Sequence, residues 1–311
     1  MKLIDLTPHQ LHRLLQREGL TFCTGPFSFR LHSPAADLST QLHYLYADYL
    51  FVDNAKFSDF HIKISRHSGW WRSRKPWMLF ETDIDTPYRP FAEDSILPFL
   101  EWGINWCVAS QAHCYLMLHT GALEKNGNTL LLPAHPGSGK STLCAALCHR
   151  GWRLLTDEIA LVRPADLALV PFPRLIALKN QSIAVFREFI PEAVLGPEYP
   201  NTPKGTVCHV RPPMDSIERS DETGRARWIV LPKFKAGASL ALKPLDKTEA
   251  FIQLTGHSFN YELIGLRGFQ AMTGLIDACD CYTFEYGGDL EQAVAQLNAL
   301  ADGLIERSRS A

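Results

Sequence analysis

The sequence contains one stretch that decides the fold, Leu130-Leu-Leu-Pro-Ala-His-Pro-Gly-Ser-Gly-Lys-Ser-Thr-Leu-Cys-Ala-Ala-Leu-Cys148. It opens with an apolar run typical of a buried strand, passes through a glycine-rich turn and ends in a run compatible with a helix. Glycines allow successive backbone N–H groups to turn toward phosphates, and the start of the helix adds its positive dipole end. The stretch therefore predicts an α/β protein with a nucleotide-binding phosphate loop.

The loop supplies the predicted contacts to ATP and Mg²⁺. Lys140 is expected to reach the β- and γ-phosphate oxygens, and Ser141 is expected to offer its hydroxyl to Mg²⁺. The pattern departs from GxxxxGK[ST] at one position, because Ala134 stands where the first glycine is usual. The predicted nucleotide-binding residues are Pro136, Gly137, Ser138, Gly139, Lys140, Ser141 and Thr142.

An acidic pair follows the next predicted strand, Trp152–Leu155. Asp157 and Glu158 stand where a catalytic carboxylate is expected in a phosphate-loop protein. One carboxylate can hold Mg²⁺, while a second can accept the proton of an attacking hydroxyl. The alternative is a pair that only binds metal in an ATPase.

Three further residues are candidates for catalysis. His119 closes an apolar run before Thr120-Gly121, so we expect it at a strand end, where it could orient or polarise Asp157; a structural role is the alternative. Arg174 and Lys179 follow the acidic pair and could stabilise the negative charge of a phosphoryl group in transfer, unless they are solvated loop charges.

A second polar cluster lies later in the chain and is a candidate for phosphate or acceptor contact. It consists of Lys204, Gly205, Thr206 and Arg211. Solvated loop residues are the competing interpretation of this cluster.

Composition excludes several classes of protein. The chain has 311 residues, of which 46% are hydrophobic, enough for two domains. Lys and Arg number 31 against 33 Asp and Glu, a net charge of -2, which argues against general nucleic-acid binding. No apolar run suits a signal peptide or a membrane span, so we expect a cytoplasmic protein. The eight cysteines form no CxxC pair, so most are expected to be buried apolar groups.

Residues 1–95 are expected to form a smaller α+β module that recognises a partner or acceptor. Apolar and polar residues alternate from Phe27 to Leu31 and from Phe60 to Ile64, which indicates two half-buried strands. Leucine and tyrosine recur at helical spacing between Leu38 and Tyr49. The arginines and tryptophans between Arg66 and Trp77 suit either a stacking surface for a nucleic acid or phosphorylated partner, or the end of a hairpin.

Residues 96–311 are expected to form the phosphate-loop domain. Ile96 to Val108 reads as an apolar helix, and short apolar runs predict strands buried on both faces. A capping box at Asp246 predicts a helix, and a last helix is expected after Gly288. The predicted strands are Tyr115–Leu118, Thr129–Leu132, Arg153–Leu155, Ile159–Val162, Trp228–Leu231 and the alternating run through Tyr282, Phe284 and Tyr286.

Three motifs occur in a characteristic order along the chain. They are His119 with Gly121, the loop of residues 137–142, and Arg150-Gly-Trp-Arg-Leu-Leu-Thr-Asp-Glu158. In that order they resemble the catalytic domain of the bacterial HPr kinase/phosphorylase family, best over residues 115–162. The resemblance implies a phosphate-loop kinase core akin to phosphoenolpyruvate carboxykinase, with a serine hydroxyl as acceptor. That family forms hexamers, so self-association of this chain is an open expectation.

The same resemblance implies roles for the site residues. Asp157 matches the family's catalytic base and His119 its supporting histidine. Glu158 replaces a second aspartate and, with Ser141, is expected next to Mg²⁺. The family's Leu-Glu-Ile-Arg-Gly signature is absent, and residues 204–211 occupy the comparable stretch, so the resemblance does not extend to the reverse phosphorolysis reaction.

The chain is more closely similar to the HPr-kinase-related proteins called HprK-related kinase A. That likeness spans nearly the whole chain through four stretches, Leu100–Cys107, Pro136–Thr142, Pro173–Ser182 and His257-Ser-Phe-Asn260. It implies a kinase fold and leaves the acceptor open. We therefore expect a kinase that transfers the γ-phosphate of ATP to a hydroxyl of a protein or peptide. The alternatives are a small-molecule hydroxyl kinase and an ATPase switch without an acceptor.

Overall fold

The computed structural model describes residues 1–53, 55–67 and 77–304. Within them the chain is a mixed α/β protein with three β-sheets and roughly equal helix and strand content, which confirms the predicted α/β class. Of the arginine- and tryptophan-rich segment from Arg66 to Trp77, only Arg66, His67 and Trp77 are among the described residues. No helix in the described ranges has the length and apolarity needed to cross a bilayer.

The first sheet is antiparallel except where β2 and β4 run parallel, and its order is β3-β1-β2-β4-β5-β6. The predicted alternation is confirmed, because every second side chain of β2 and of the first part of β4 is buried. The strands are β1 (Leu20–Thr24), β2 (Phe27–His32), β3 (Leu50–Phe51), β4 (Phe60–Arg66), β5 (Trp77–Thr82) and β6 (Phe91–Ala92). The helices of this part are α1 (Pro8–Gln16), α2 (Ala36–Leu45) and α3 (Ile96–Gln111), with short 3-10 turns at Leu3–Asp5 and Glu93–Ser95.

Helix α3 belongs to the core of the first sheet. The ring of Phe80 on β5 lies 1.9 Å from the point where a Cβ on Gly103 would stand, so only glycine lets helix and sheet approach this closely. The same apolar cluster also includes Phe172 and Leu175 from the later part of the chain. The domain boundary placed at residue 95 stays a prediction, and the core continues across it.

The remaining strands form two further sheets. They are β7 (Leu116–Lys125), β8 (Asn128–Pro133), β9 (Arg153–Thr156), β10 (Ile159–Val162), β11 (Ala168–Val170), β12 (Ile176–Lys179), β13 (Leu195–Thr202), β14 (Gly205–Val210), β15 (Gly224–Phe234), β16 (Ala241–Pro244) and β17 (Asp280–Tyr286). The helices are α4 (Lys140–Cys148), α5 (Gln181–Phe189), α6 (Met214–Glu218), α7 (Lys247–Gly256), α8 (Gly265–Ala278) and α9 (Leu290–Ala301).

The large sheet is covered on both faces, as its apolar runs predicted. Its strand order is β11-β10-β7-β8-β15-β17-β16, and β9 also pairs with β7. Strands β12, β14 and β13, in that order, form a separate small sheet. Leu130 and Leu132 pack with α4 and α9, whereas Leu131 between them packs with α7 and α8. Burial on both faces explains why these strands carry unbroken apolar runs.

One predicted strand end is wrong. His119 lies inside β7, which runs on through Thr120 and Gly121 without a turn. The glycine serves packing instead, because a Cβ at residue 121 would stand 2.3 Å from Cys144 Sγ on α4. Sequence alone cannot separate a glycine required by a turn from one required by a neighbouring helix.

We expect Gly121→Ala to lower the free energy of unfolding by about 1–3 kcal/mol, because the added methyl group overpacks the contact between β7 and α4. Urea unfolding followed by circular dichroism measures the loss. The double variant Gly121→Ala/Cys144→Ala should recover most of it, and Gly256→Ala, with open space around its Cβ, is the control. Equal losses in the single and double variants would contradict this packing role.

Candidate functional site

Two loops meet at the middle of β7. On one side β8 ends at Pro133, opposite Thr120, and the phosphate loop begins there. On the other side the turn between β9 and β10 falls at the same level, since Ile159 pairs with His119. The sheet register thus brings the phosphate loop and the acidic turn together.

The phosphate loop has the predicted form of a strand, a turn and a helix. Gly137 and Gly139 have φ values of 86° and 83°, in the left-handed region that favours glycine. A Cβ on Gly139 would stand 1.9 Å from the hydroxyl of Tyr286, which donates a hydrogen bond to the Gly139 carbonyl at 3.2 Å. Ala134 is not among the residues with positive φ, so its position does not require the missing glycine.

Lys140 joins the phosphate loop to the acidic turn. Its Nζ donates to the backbone carbonyl of Asp157 and lies 3.3 Å from Asp157 Oδ1, and both residues are buried. Burial lowers the pKa of Lys140, but the carboxylates of Asp157 and Glu158 raise it more, so the ammonium stays charged. Lys140 therefore joins the loop to the acidic turn, a contact that the sequence did not predict, while its role at the phosphates stays a prediction.

The two acidic side chains differ in protonation behaviour. Burial raises the pKa of Asp157, although Lys140 and the side chains of Ser141 and Cys144 oppose this, and its Oδ2 is the oxygen without a close hydrogen-bond partner. Burial alone would raise the pKa of Glu158. Lys140, His119 and Lys179 lower it by more than burial raises it, so the pKa of Glu158 lies well below the usual range. Glu158 is thus held as an anion, while Asp157 keeps a free oxygen and a higher proton affinity.

His119 contacts the acidic turn through Glu158. Its Nε2 lies 3.1 Å from Glu158 Oε2, where the sequence-based hypothesis placed Asp157 as its partner. The difference follows from the strand position, because His119 lies beside Ile159 and so faces the second acid of the turn. Its effect on Asp157 is therefore indirect.

The two predicted charge-stabilising residues have different surroundings. Arg174 is buried and bound to Glu101, with Nη1 2.9 Å from the backbone carbonyl and Nη2 3.4 Å from Oε2. Lys179 ends β12 close enough to lower the pKa of Glu158. Arg174 is thus paired with a buried carboxylate, whereas Lys179 is near enough to Glu158 to affect its pKa.

The second polar cluster, Lys204 to Thr206 with Arg211, is split between two parts of the structure. The Nζ atom of Lys204 lies 4.7 Å from the ring centre of Trp102. Burial, the largest effect, and the neighbouring lysines lower the pKa of Lys204. Glu158 is close enough to oppose them by raising that pKa. Arg211 instead forms an ion pair with Asp48 of the first part of the chain. Only the lysine end of the cluster approaches the site.

Sequence reasoning assigned no role in the site to Tyr286, His135 or His257. Tyr286 was expected only as part of a strand, which is confirmed as β17, and its bond to Gly139 depends on strand order. The rings of His135 and His257 lie 4.6 Å apart beside the phosphate loop. The only sequence signal for His257 was its place in the His257-Ser-Phe-Asn260 stretch.

The residues of the site fit a Mg–nucleotide. In the described part of the chain no three or more histidine, cysteine or acidic side chains are grouped to hold a metal ion by themselves. Mg²⁺ at a phosphate site usually takes only one or two protein ligands, with phosphate oxygens and water as the others. Ser141 and the anionic Glu158 can supply such ligands, and the left-handed glycines can turn backbone N–H groups toward phosphates.

Comparison with known proteins gives no assignment, since no known protein family and no characterised protein matches the sequence of this chain.

We expect Lys140→Met to lower the free energy of unfolding by roughly 3 kcal/mol at pH 7, because it leaves Asp157 buried without its cation. The loss should shrink as the pH falls to 5. Without the cation the folded-state pKa of Asp157 rises further above its unfolded value, and a protonated carboxyl needs no partner. Urea unfolding at both pH values measures this.

The double variant Lys140→Met/Asp157→Asn is the control for that experiment. It removes the charge as well as its partner and should recover most of the stability at pH 7. A loss that is independent of pH, or that persists in the double variant, would show that the pair does not act through charge.

Proposed function

We propose that the protein is an ATP-dependent kinase that transfers the γ-phosphate to a hydroxyl group. The observation that carries the proposal is the contact of Lys140 with Asp157. It sets a buried carboxylate with an unpartnered oxygen directly beside a phosphate-binding loop. A loop that only bound nucleotide would not need a carboxylate of raised proton affinity at this point.

Phosphate binding is assigned to the loop and the start of α4. Backbone N–H groups from Gly137 to Thr142 would surround the phosphates, with Pro136, Gly137, Ser138 and Gly139 forming the turn, and Lys140 would contact the β- and γ-phosphate oxygens. Ser141 and Glu158 would hold Mg²⁺, which would neutralise charge on the phosphates. His119 fixes the orientation of Glu158 through its hydrogen bond.

The transfer step is an in-line displacement. The acceptor oxygen forms a bond to the γ-phosphorus while the bond from that phosphorus to the β,γ-bridging oxygen breaks, and ADP leaves with that electron pair. Asp157 accepts the hydroxyl proton on Oδ2. Lys179 stabilises the negative charge on the γ-phosphoryl oxygens.

The order of motifs supports a core of the HPr kinase and phosphoenolpyruvate carboxykinase type, with a serine of a protein or peptide as acceptor. Residues 1–95 are then the part that recognises the partner. A small-molecule hydroxyl and water are the competing acceptors, because the chemistry at Asp157 is the same for each.

The deciding experiment incubates the purified protein with γ-labelled ATP, Mg²⁺ and a cell extract separated into polypeptide and small-molecule fractions. Label in polypeptide supports the proposal, and label in metabolites supports the small-molecule kinase. Free phosphate alone, with no labelled acceptor, would overturn kinase activity in favour of an ATPase.

We expect Asp157→Asn to lower the rate of transfer by about 100- to 10,000-fold, because the base is lost, while nucleotide binding changes little. The control is Lys140→Ala, which should lose binding as well as transfer. Single-turnover rates and equilibrium titration with Mg–ATP measure the two effects. Transfer at the wild-type rate by Asp157→Asn would refute the assignment of the base.

His119→Ala should lower kcat/KM about tenfold, mainly by raising the Mg²⁺ concentration required, because Glu158 loses the group that orients it. His119→Gln, which retains a hydrogen-bond donor, should recover part of the loss. Rates measured across a Mg²⁺ titration test this, and an unchanged Mg²⁺ requirement in both variants would return His119 to a structural role.

A further inference from the structure

A segment between α7 and α8 forms one wall of the site. Residues 257–260 lie along β7 on the side opposite β10, with the backbone N–H of His119 donating to the His257 carbonyl at 2.6 Å. Phe259 N donates to the Met117 carbonyl at 2.9 Å, and Asn260 Oδ1 accepts from Met117 N at 2.9 Å. The segment is therefore fixed in place beside the phosphate loop.

The ring of His257 lies between the phosphate loop and His119. Its centre is 4.6 Å from that of His135 and 6.3 Å from that of His119. The carbonyl of His135 accepts two hydrogen bonds from Ser138, one from its backbone N–H and one from its hydroxyl, which ties His135 to the turn of the loop. Two imidazoles thus stand side by side at the phosphate loop.

These imidazoles have no counter-ion among the described residues. The residue His257 is only 7% exposed, but its ring nitrogens are not among the buried polar atoms left without a partner, so they keep some contact with solvent. Burial, His135, His119 and Lys140 together lower the pKa of His257 to about 4, so the ring is neutral at pH 7. A neutral imidazole whose nitrogens still reach solvent beside the loop can form a hydrogen bond to a phosphate oxygen of a bound ligand.

We propose that His135 and His257 form a second phosphate-binding element, which contacts the terminal phosphates of the nucleotide and takes up a proton when the nucleotide binds. The inference rests on the proposed function, since it concerns the same nucleotide. The groups that face the pair are Lys140 from α4, His119 from β7 and, beyond it, Glu158 from the acidic turn. Bound polyphosphate brings several negative charges into this cationic surrounding, which favours the imidazolium form.

The test is calorimetric titration of the protein with Mg–ATP and with AMP at pH 7, each in two buffers of different ionisation enthalpy. His257→Gln and His135→Gln should each weaken Mg–ATP binding about tenfold, as expected for a lost hydrogen bond to a charged group. They should leave AMP binding unchanged and reduce the proton uptake seen with wild type. His9→Gln, an exposed histidine on α1, is the matched control and should behave as wild type.

This inference would be overturned if both histidine variants showed wild-type affinity for Mg–ATP and wild-type proton uptake. If Lys140→Ala still lost Mg–ATP binding, the proposed function would stand. An equal loss of AMP and Mg–ATP affinity would also overturn it, because it would indicate a structural effect. His135 is exposed in the loop, so its variant tests the inference even if His257→Gln proves unstable. No Mg–ATP binding by wild type would overturn the proposed function and, with it, this inference.

Discussion

The buried contact between Lys140 and Asp157 is the constraint on which the rest of the site depends. An ammonium and a carboxylate removed from water are tolerated only as a pair, so the start of α4 and the turn between β9 and β10 must stay together. Both lie against β7, which pairs with β8 on one side and with the β9–β10 hairpin on the other. The close approach at Gly121 allows α4 to lie near enough to β7 for this contact.

Much of the fold could be predicted from local pattern. The strand, turn and helix around residues 130–148 are encoded by neighbouring residues, and the alternation in β2 and β4 reports burial on one face. The site was predictable only in part. Arg174 is bound to Glu101, 73 positions away, and no local pattern reveals that partner. His119 was assigned to Asp157 because sequence order does not give the register that places it beside Glu158.

Helix α3 connects the first part of the chain to the region around the site through two successive residues. Glu101 pairs with Arg174 and accepts a hydrogen bond from Tyr46 of the first core, and Trp102 carries the ammonium of Lys204 on its ring. Burial raises the pKa of Glu101 overall, although Arg174 and the hydrogen bond from Tyr46 oppose this. Helix α3 thus contacts both the first core and Lys204 near the acidic turn.

The segment of residues 257–260 has a second consequence, for solubility. A strand edge with free N–H and C=O groups is a template on which another chain can add a strand and start aggregation. Along Leu116 to His119 that edge of β7 is occupied by this segment, with Asn260 giving side-chain bonds to the backbone of Met117 and Tyr115. Changes that loosen the segment would therefore expose an apolar edge, and poor expression of such variants would reflect self-association as well as loss of the site.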